Sequence, residues 1–189
     1  KYIKIPKTVS KLGNYSFSRC SSLQKIEISE SVITIGIGTF SKCSSLKEIT
    51  IPPKVSEIND STFEYCDKLT EVNLNENINN IGNKTFERCS SLLTVHLPHK
   101  LKTIGEYSFC NCSSLRHIVI PRSVIKIGQQ SFSGCKSLKI IYIVNTFSKD
   151  DLGFEPLTKI LRNDDDSESY YGIGQKLCDG SGIEVDKEE

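Results

Sequence analysis

The chain has 189 residues, 37% of them hydrophobic and 25% charged, with a formal net charge of +1; that is ample material for one domain. Its apolar runs all fall well short of the roughly 20 residues a membrane helix needs, so membrane insertion by this chain is not expected. The charge is uneven: residues 1–144 hold 19 Lys or Arg against 11 Asp or Glu, a net +8, and residues 145–189 hold 5 against 12, a net −7. The basic residues, among them Lys25, Lys42, Lys54, Arg88, Lys100 and Arg122, are scattered rather than gathered in one stripe with interleaved aromatics, which argues against nucleic acid as a partner.

The chain starts inside a strand-like run, Tyr2-Ile3-Lys4-Ile5-Pro6, which predicts a fragment without an N-terminal capping segment. From there one pattern recurs. Phe17, Phe40, Phe63, Phe86, Phe109 and Phe132 are spaced 23 residues apart, and Cys20, Cys43, Cys66, Cys89, Cys112 and Cys135 follow three positions later. Leu23, Leu46, Leu69, Leu92, Leu115 and Leu138 form a third unbroken column. Such self-similarity is the signature of a repeat architecture.

The run Leu115-x-x-Ile118-x-Ile120 ends in alternation, so Ile118 and Ile120 point to one face and His117 and Val119 to the other: a short strand. Pro121 then favours a turn, and Val124 and Ile127 bring two more apolar groups inward. Between Gly128 and Cys135 the three-residue spacing of Phe132 and Cys135 predicts one helical or 3₁₀ turn. One coil cannot bury its own apolar face, so the expected fold is a repeat solenoid of stacked coils with parallel strands. The array is expected over residues 1–147, in about six coils. Asp150 then stands where an Ile is due, and a cap is expected over 148–162, with Pro156 opening a turn of helix carrying Leu157, Ile160 and Leu161. Residues 163–189, with Asp164-Asp165-Asp166, read as an acidic, partly disordered tail.

Six of the eight cysteines share one phase. A column of parallel thiols cannot converge tetrahedrally, so no metal site is expected, and the thiols read as buried, free and hydrophobic. Cys110 is expected to point outward. His96 and His117 fall on outward strand positions of adjacent coils, as diagonal neighbours roughly 7–8 Å apart. With no group placed to orient a Cys–His pair, no catalytic residue is expected. Asn14, Asn59, Asn83 and Asn111 begin glycosylation sequons; each owes its Ser or Thr to a repeat position.

The order I-G-x-x-x-F-x-x-C-x-x-L-x-x-I-x-I-P, seen from Ile104 to Pro121, closely resembles the BspA-type leucine-rich repeats, over about Tyr2 to Phe147. The resemblance implies a leucine-rich-repeat horseshoe with one short strand per coil on the concave face. It also implies a non-catalytic, cofactor-free recognition module for a protein or glycan partner, at the cell surface or secreted, in adhesion or host interaction. The other reading is a cytoplasmic scaffold or regulatory array fused to another domain. A monomer is expected. The partner is expected on the outward strand positions Lys25, Glu27, Glu48, Thr50, Glu71, Asn73, Thr94, His96, His117, Val119, Ile140 and Tyr142. The apolar late coils are expected to carry the energetic centre; the other reading is that Ile140 and Tyr142 are apolar because the tail folds over them.

Overall fold

A computed structural model describes residues 1–143, 153 and 159–161. The chain winds as a solenoid in which equivalent positions stack coil upon coil. Its opening strands are β1 (Tyr2–Lys4), β3 (Lys25–Glu27), β5 (Glu48–Thr50), β7 (Glu71–Asn73), β10 (His117–Ile120) and β12 (Ile140–Ile143). Every strand pairing is parallel and in register, Tyr2 with Lys25, Glu48 with Glu71, His117 with Ile140. Coils are numbered below by these strands, the fifth opening at residues 94–96.

Each coil also carries a second, two-residue strand that the sequence reading did not foresee: β2 (Lys11–Leu12), β4 (Thr34–Ile35), β6 (Glu57–Ile58), β8 (Asn80–Ile81), β9 (Thr103–Ile104) and β11 (Lys126–Ile127). Between the two ribbons lies the core. The six Leu of the repeat column are buried, as are Phe40, Phe63, Phe86, Phe109 and Phe132. The rings stack with centroids 5.2–5.6 Å apart and planes within 19°, inside the usual range of aromatic pairs. Phe17, in the first coil, is half-buried.

Around each Phe the expected helical or 3₁₀ turn is replaced by something more regular, and no helix occurs among the described residues. Residues two before and two after the Phe have positive φ, for example Tyr15 (55°) and Arg19 (62°), Lys84 (55°) and Arg88 (60°), Tyr107 (56°) and Asn111 (60°). Each left-handed residue interrupts helical winding and turns its N–H towards the next coil. Thus Lys84, Phe86 and Arg88 donate to the carbonyls of Glu106, Ser108 and Cys110 at 2.7–2.8 Å. The residues between and after them close short turns within the coil, as Glu87 does to Lys84 and Cys89 to Phe86. Bonds within a coil alternate with bonds between coils, so backbone polar groups are satisfied without a helix.

Two small-residue columns make that approach possible. Thr39, Thr62, Thr85, Ser108 and Ser131, just before each Phe, are buried, and each hydroxyl donates to a backbone carbonyl three residues back. The thiols of Cys43, Cys66, Cys89, Cys112 and Cys135 donate at 3.1–3.2 Å to the Phe carbonyl of the coil before. All seven cysteines among the described residues are free. Burial pushes the Cys43 thiol up to about 12 and those of Cys66, Cys89 and Cys112 well above the ordinary thiol range, since no cation offsets the desolvation of a thiolate.

The second ribbon breaks once. Its strands run β2–β4 and then β6–β8–β9–β11, with no pairing between β4 and β6. Beside the break, Asn59 stands in a column otherwise held by Gly13, Gly36, Gly82, Gly105 and Gly128. A Cβ on Gly82 would lie 2.6 Å from the Asp60 nitrogen, and one on Gly128 would lie 2.3 Å from the Glu106 nitrogen, so these positions require glycine for backbone contact, whereas at Gly13 in the first coil the space is open. Elsewhere the glycine N–H bonds across, Gly82 to Ile58 and Gly105 to Ile81, both at 2.8 Å. At the exception the Asn59 side-chain amide reaches the Ile35 carbonyl instead, at 2.7 Å.

Three expectations are corrected. Cys110 does not point outward: it is 8% exposed, and its sulfur meets the Asn111 side chain rather than solvent, accepting from that amide at 3.3 Å. Its thiol is raised by burial and by nearby Glu87. Ile160 and Leu161 belong to a strand, β13 (Lys159–Leu161), rather than to a helical turn; it pairs with β12, Ile140 opposite Lys159, 19 residues on. The strand register is thus kept at a step of 19 rather than 23 residues. Finally, the fifth coil has no strand at Thr94–His96. The rest of the expected 148–162 cap and the 163–189 tail lies outside the described residues.

Removing the Phe86 ring from the middle of the stack is expected to lower stability by about 3–5 kcal/mol, measured for Phe86→Ala by chemical denaturation. Asn59→Ala keeps the Cβ and loses the amide, so it should cost about 1–3 kcal/mol for the unsatisfied Ile35 carbonyl, whereas Asn59→Gly should stay close to the parent; equal losses would refute the compensation. In alkylation at pH 8 followed by peptide mapping, half-buried Cys20 should be modified in the folded protein, and Cys66, Cys89 and Cys112 only on unfolding.

Candidate functional site

The strand face places two outward side chains per coil in two parallel rows. Along one run Lys25, Glu48, Glu71, Thr94, His117 and Ile140, and along the other Glu27, Thr50, Asn73, His96, Val119 and Tyr142, as the alternation of outward and core positions in each strand requires. Lys25, Glu27, Glu48, Thr50, Glu71, Asn73 and His96 are exposed, and Thr94, His117, Val119 and Ile140 are half-buried. Tyr142, in register with Val119, is only 6% exposed and its hydroxyl is raised by burial, so it offers little surface to a partner.

The first coils are tied by exposed ion pairs between neighbouring strands, Lys4 to Glu27 at 3.4 Å and Lys25 to Glu48 at 2.7 Å. The hydrogen bond from Lys25 holds the Glu48 carboxyl below its ordinary range, and that from Tyr2, followed by Lys4, does the same for Glu27. Such exposed pairs add little stability, but they occupy the charged groups of these coils. The series stops at Glu71, which makes no ion pair among the described residues.

Beyond Glu71 a hollow opens on the face. The bond linking coils along this edge is 3.3 Å from Lys47 to Gln24, 2.8 Å from Thr70 to Lys47, 3.4 Å from Leu93 to Thr70, 3.3 Å from Arg116 to Leu93 and 3.0 Å from Lys139 to Arg116. With no strand in the fifth coil, the fourth and fifth coils part around a shallow hollow of about 250 Å³ lined by Thr70, Glu71, Val72, Asn73, Leu93, Thr94 and His96. Four of the anticipated face residues meet there. Leu93 was not anticipated. It is 45% exposed in a column held by Lys47, Thr70, Arg116 and Lys139 in adjacent coils, and an apolar residue among polar mates was the available signal.

His117 lies beyond the hollow, and burial, then His96 and Arg116, hold its imidazole below the ordinary range. Among the described residues no three His, Cys, Asp or Glu side chains are placed to hold a metal ion, and no helix is long and apolar enough to cross a membrane. The sequon asparagines serve the stack: the side-chain oxygens of Asn14 and Asn83 accept from the N–H of Ile37 and Glu106 in the next coil, at 2.9 and 2.8 Å.

The repeat order and this coil geometry recur in known proteins. The BspA type leucine rich repeat region matches residues 1–115 and 56–153, in six copies. No curated protein matches the chain. Among solved structures, a leucine-rich repeat protein from Bacteroides ovatus is 34% identical with a TM-score of 0.78, over 86% of this chain and 42% of that one. One from Eubacterium ventriosum is 27% identical with a TM-score of 0.63, over 78% and 44%. A leucine rich cell surface protein from Faecalibacterium prausnitzii, 19% identical with a TM-score of 0.57 over 91% and 62%, shares the fold. This chain spans less than half the length of the first two. With the stacked Phe, Cys and Leu columns and the parallel strand on each repeat, the match establishes that the chain belongs to the BspA-type leucine-rich-repeat family.

Proposed function

We propose that the array is a non-catalytic binding module that takes a protein or glycan partner on its concave strand face, at the cell surface or in secreted form. The observation that carries this reading is the change along that face. In the first three coils Lys4, Lys25, Glu27 and Glu48 on this face are engaged with one another. From the fourth coil an unpaired carboxylate, Asn73, His96 and exposed Leu93 surround a hollow, and polar groups around an apolar floor suit recognition. The surface location is supported by the family and by the cell surface protein among the fold relatives.

The test is a screen of the purified chain against immobilised glycans and extracellular proteins. A partner so found should bind the double variant Asn73→Ala/His96→Ala at least tenfold more weakly, with an unchanged melting temperature because both side chains are exposed. Lys42→Ala, on the Phe side of the coil, should bind as the parent does. The opposite pattern would move the site to the other face.

A further inference from the structure

We propose that the hollow between the fourth and fifth coils receives one cationic side chain, a lysine or arginine, from a protein partner. Its apolar stem would lie on Leu93 and Val72 and its charged head would meet Glu71. This rests on the reading of the strand face as the binding surface and narrows the partner from protein or glycan to a protein with an exposed basic residue.

Size comes first. A volume of about 250 Å³ falls below the roughly 300–1,000 Å³ of sites that enclose small-molecule ligands, and suits one long side chain. Lining chemistry comes second. Val72, 2% exposed, and Leu93, 45% exposed, supply an apolar floor and wall, while Thr70, Glu71, Asn73, Thr94 and His96 supply oxygen and nitrogen at the rim. Lysine and arginine are the side chains that combine a long apolar stem with a terminal charge, and they bury the one while presenting the other to a partner.

The sign of the charge follows from the neighbouring coils. Lys4 answers Glu27 and Lys25 answers Glu48, but Glu48 stands opposite Glu71 in the strand register. Two carboxylates are therefore adjacent, and Lys25 is already bonded to the first of them, Glu48, at 2.7 Å. The basic residues nearest along the edge are Lys47 and Arg116, in the coils flanking Thr70 and Leu93, and among the described residues no ion pair ties Glu71 to either. An incoming guanidinium or ammonium would complete the ladder with a charge-assisted hydrogen bond to Glu71.

The experiment follows the Leu93 methyl groups by NMR while the chain is titrated with N-acetyl-arginine methylamide, N-acetyl-lysine methylamide, the uncharged N-acetyl-norleucine methylamide and N-acetylglucosamine. The two cationic probes should shift the Leu93 signals saturably, and the norleucine probe at least fivefold more weakly. Glu71→Gln should weaken the cationic probes at least fivefold, while Glu48→Gln, whose carboxylate is taken by Lys25, should change them less than twofold. No saturable shift, equal binding of norleucine, an unaltered response in Glu71→Gln or a response to the sugar alone would each overturn the proposal. If Asn73→Ala/His96→Ala abolishes binding of a screened partner while the cationic probes leave Leu93 unmoved, the strand face stands as the binding surface and the cation site falls.

Discussion

The array depends on the close approach of neighbouring coils around each Phe. There three alternate N–H groups of one coil bond to three carbonyls of the next, at 2.7–3.1 Å from Tyr15 to Asn111. That distance is what the repeat residues serve. Glycine is required where two backbones would otherwise be separated by a Cβ, Thr or Ser where a buried hydroxyl must fit beneath the turn, and Cys where a small apolar group must still offer a weak donor to a carbonyl. A Val or Ala could match the volume of the thiol but not its bond to the Phe carbonyl. The constancy of the cysteine column is thus explained without disulfides or metal.

The columns that define the core were legible because each is a single residue type recurring at one period, and stacking identical coils puts like beside like. The left-handed positions were not legible. They are held by Tyr, Arg, Lys, Ser, Asn and Gln as well as Gly, residues that carry no common local preference. Their backbone conformation is imposed by the bonds on either side, at a steric cost of about 1–2 kcal/mol each, and spacing alone suggested a helical turn. The two-residue strands escaped for a related reason: an element so short leaves no alternation to read. At the C-terminal end β13 pairs with β12 at a step of 19 residues, whereas Pro156 and the spacing of Leu157, Ile160 and Leu161 suggested a helical turn.

The strand face was legible as geometry and only partly as chemistry. Alternation assigned the outward positions, Lys25 through Val119, to one surface. Periodicity says nothing about which of them are engaged with each other, and the ion pairs of the early coils come from side-chain reach rather than spacing. Tyr142 shows the limit: its outward phase left open an exposed aromatic anchor or a covered one, and it is buried. Leu93 is the converse, since its phase lies just before the strand and was not counted as part of the face.

The two sides of the solenoid therefore answer to different constraints. On the Phe side a substitution is felt by two neighbouring coils at once through backbone contact, and even the exception at Asn59 must replace the lost N–H with its own amide. On the strand face the coils can part without breaking the stack, because the Phe side continues to hold them: between the fourth and fifth coils the edge bond lengthens to 3.4 Å, while Phe86 still donates to Ser108 at 2.7 Å. A repeat protein acquires a site where its repeats stop being equivalent and the fold does not resist the difference. In this chain that place runs from Glu71 to His96, where the ion-pair ladder has ended on two adjacent acids, the fifth strand is missing and Leu93 is uncovered.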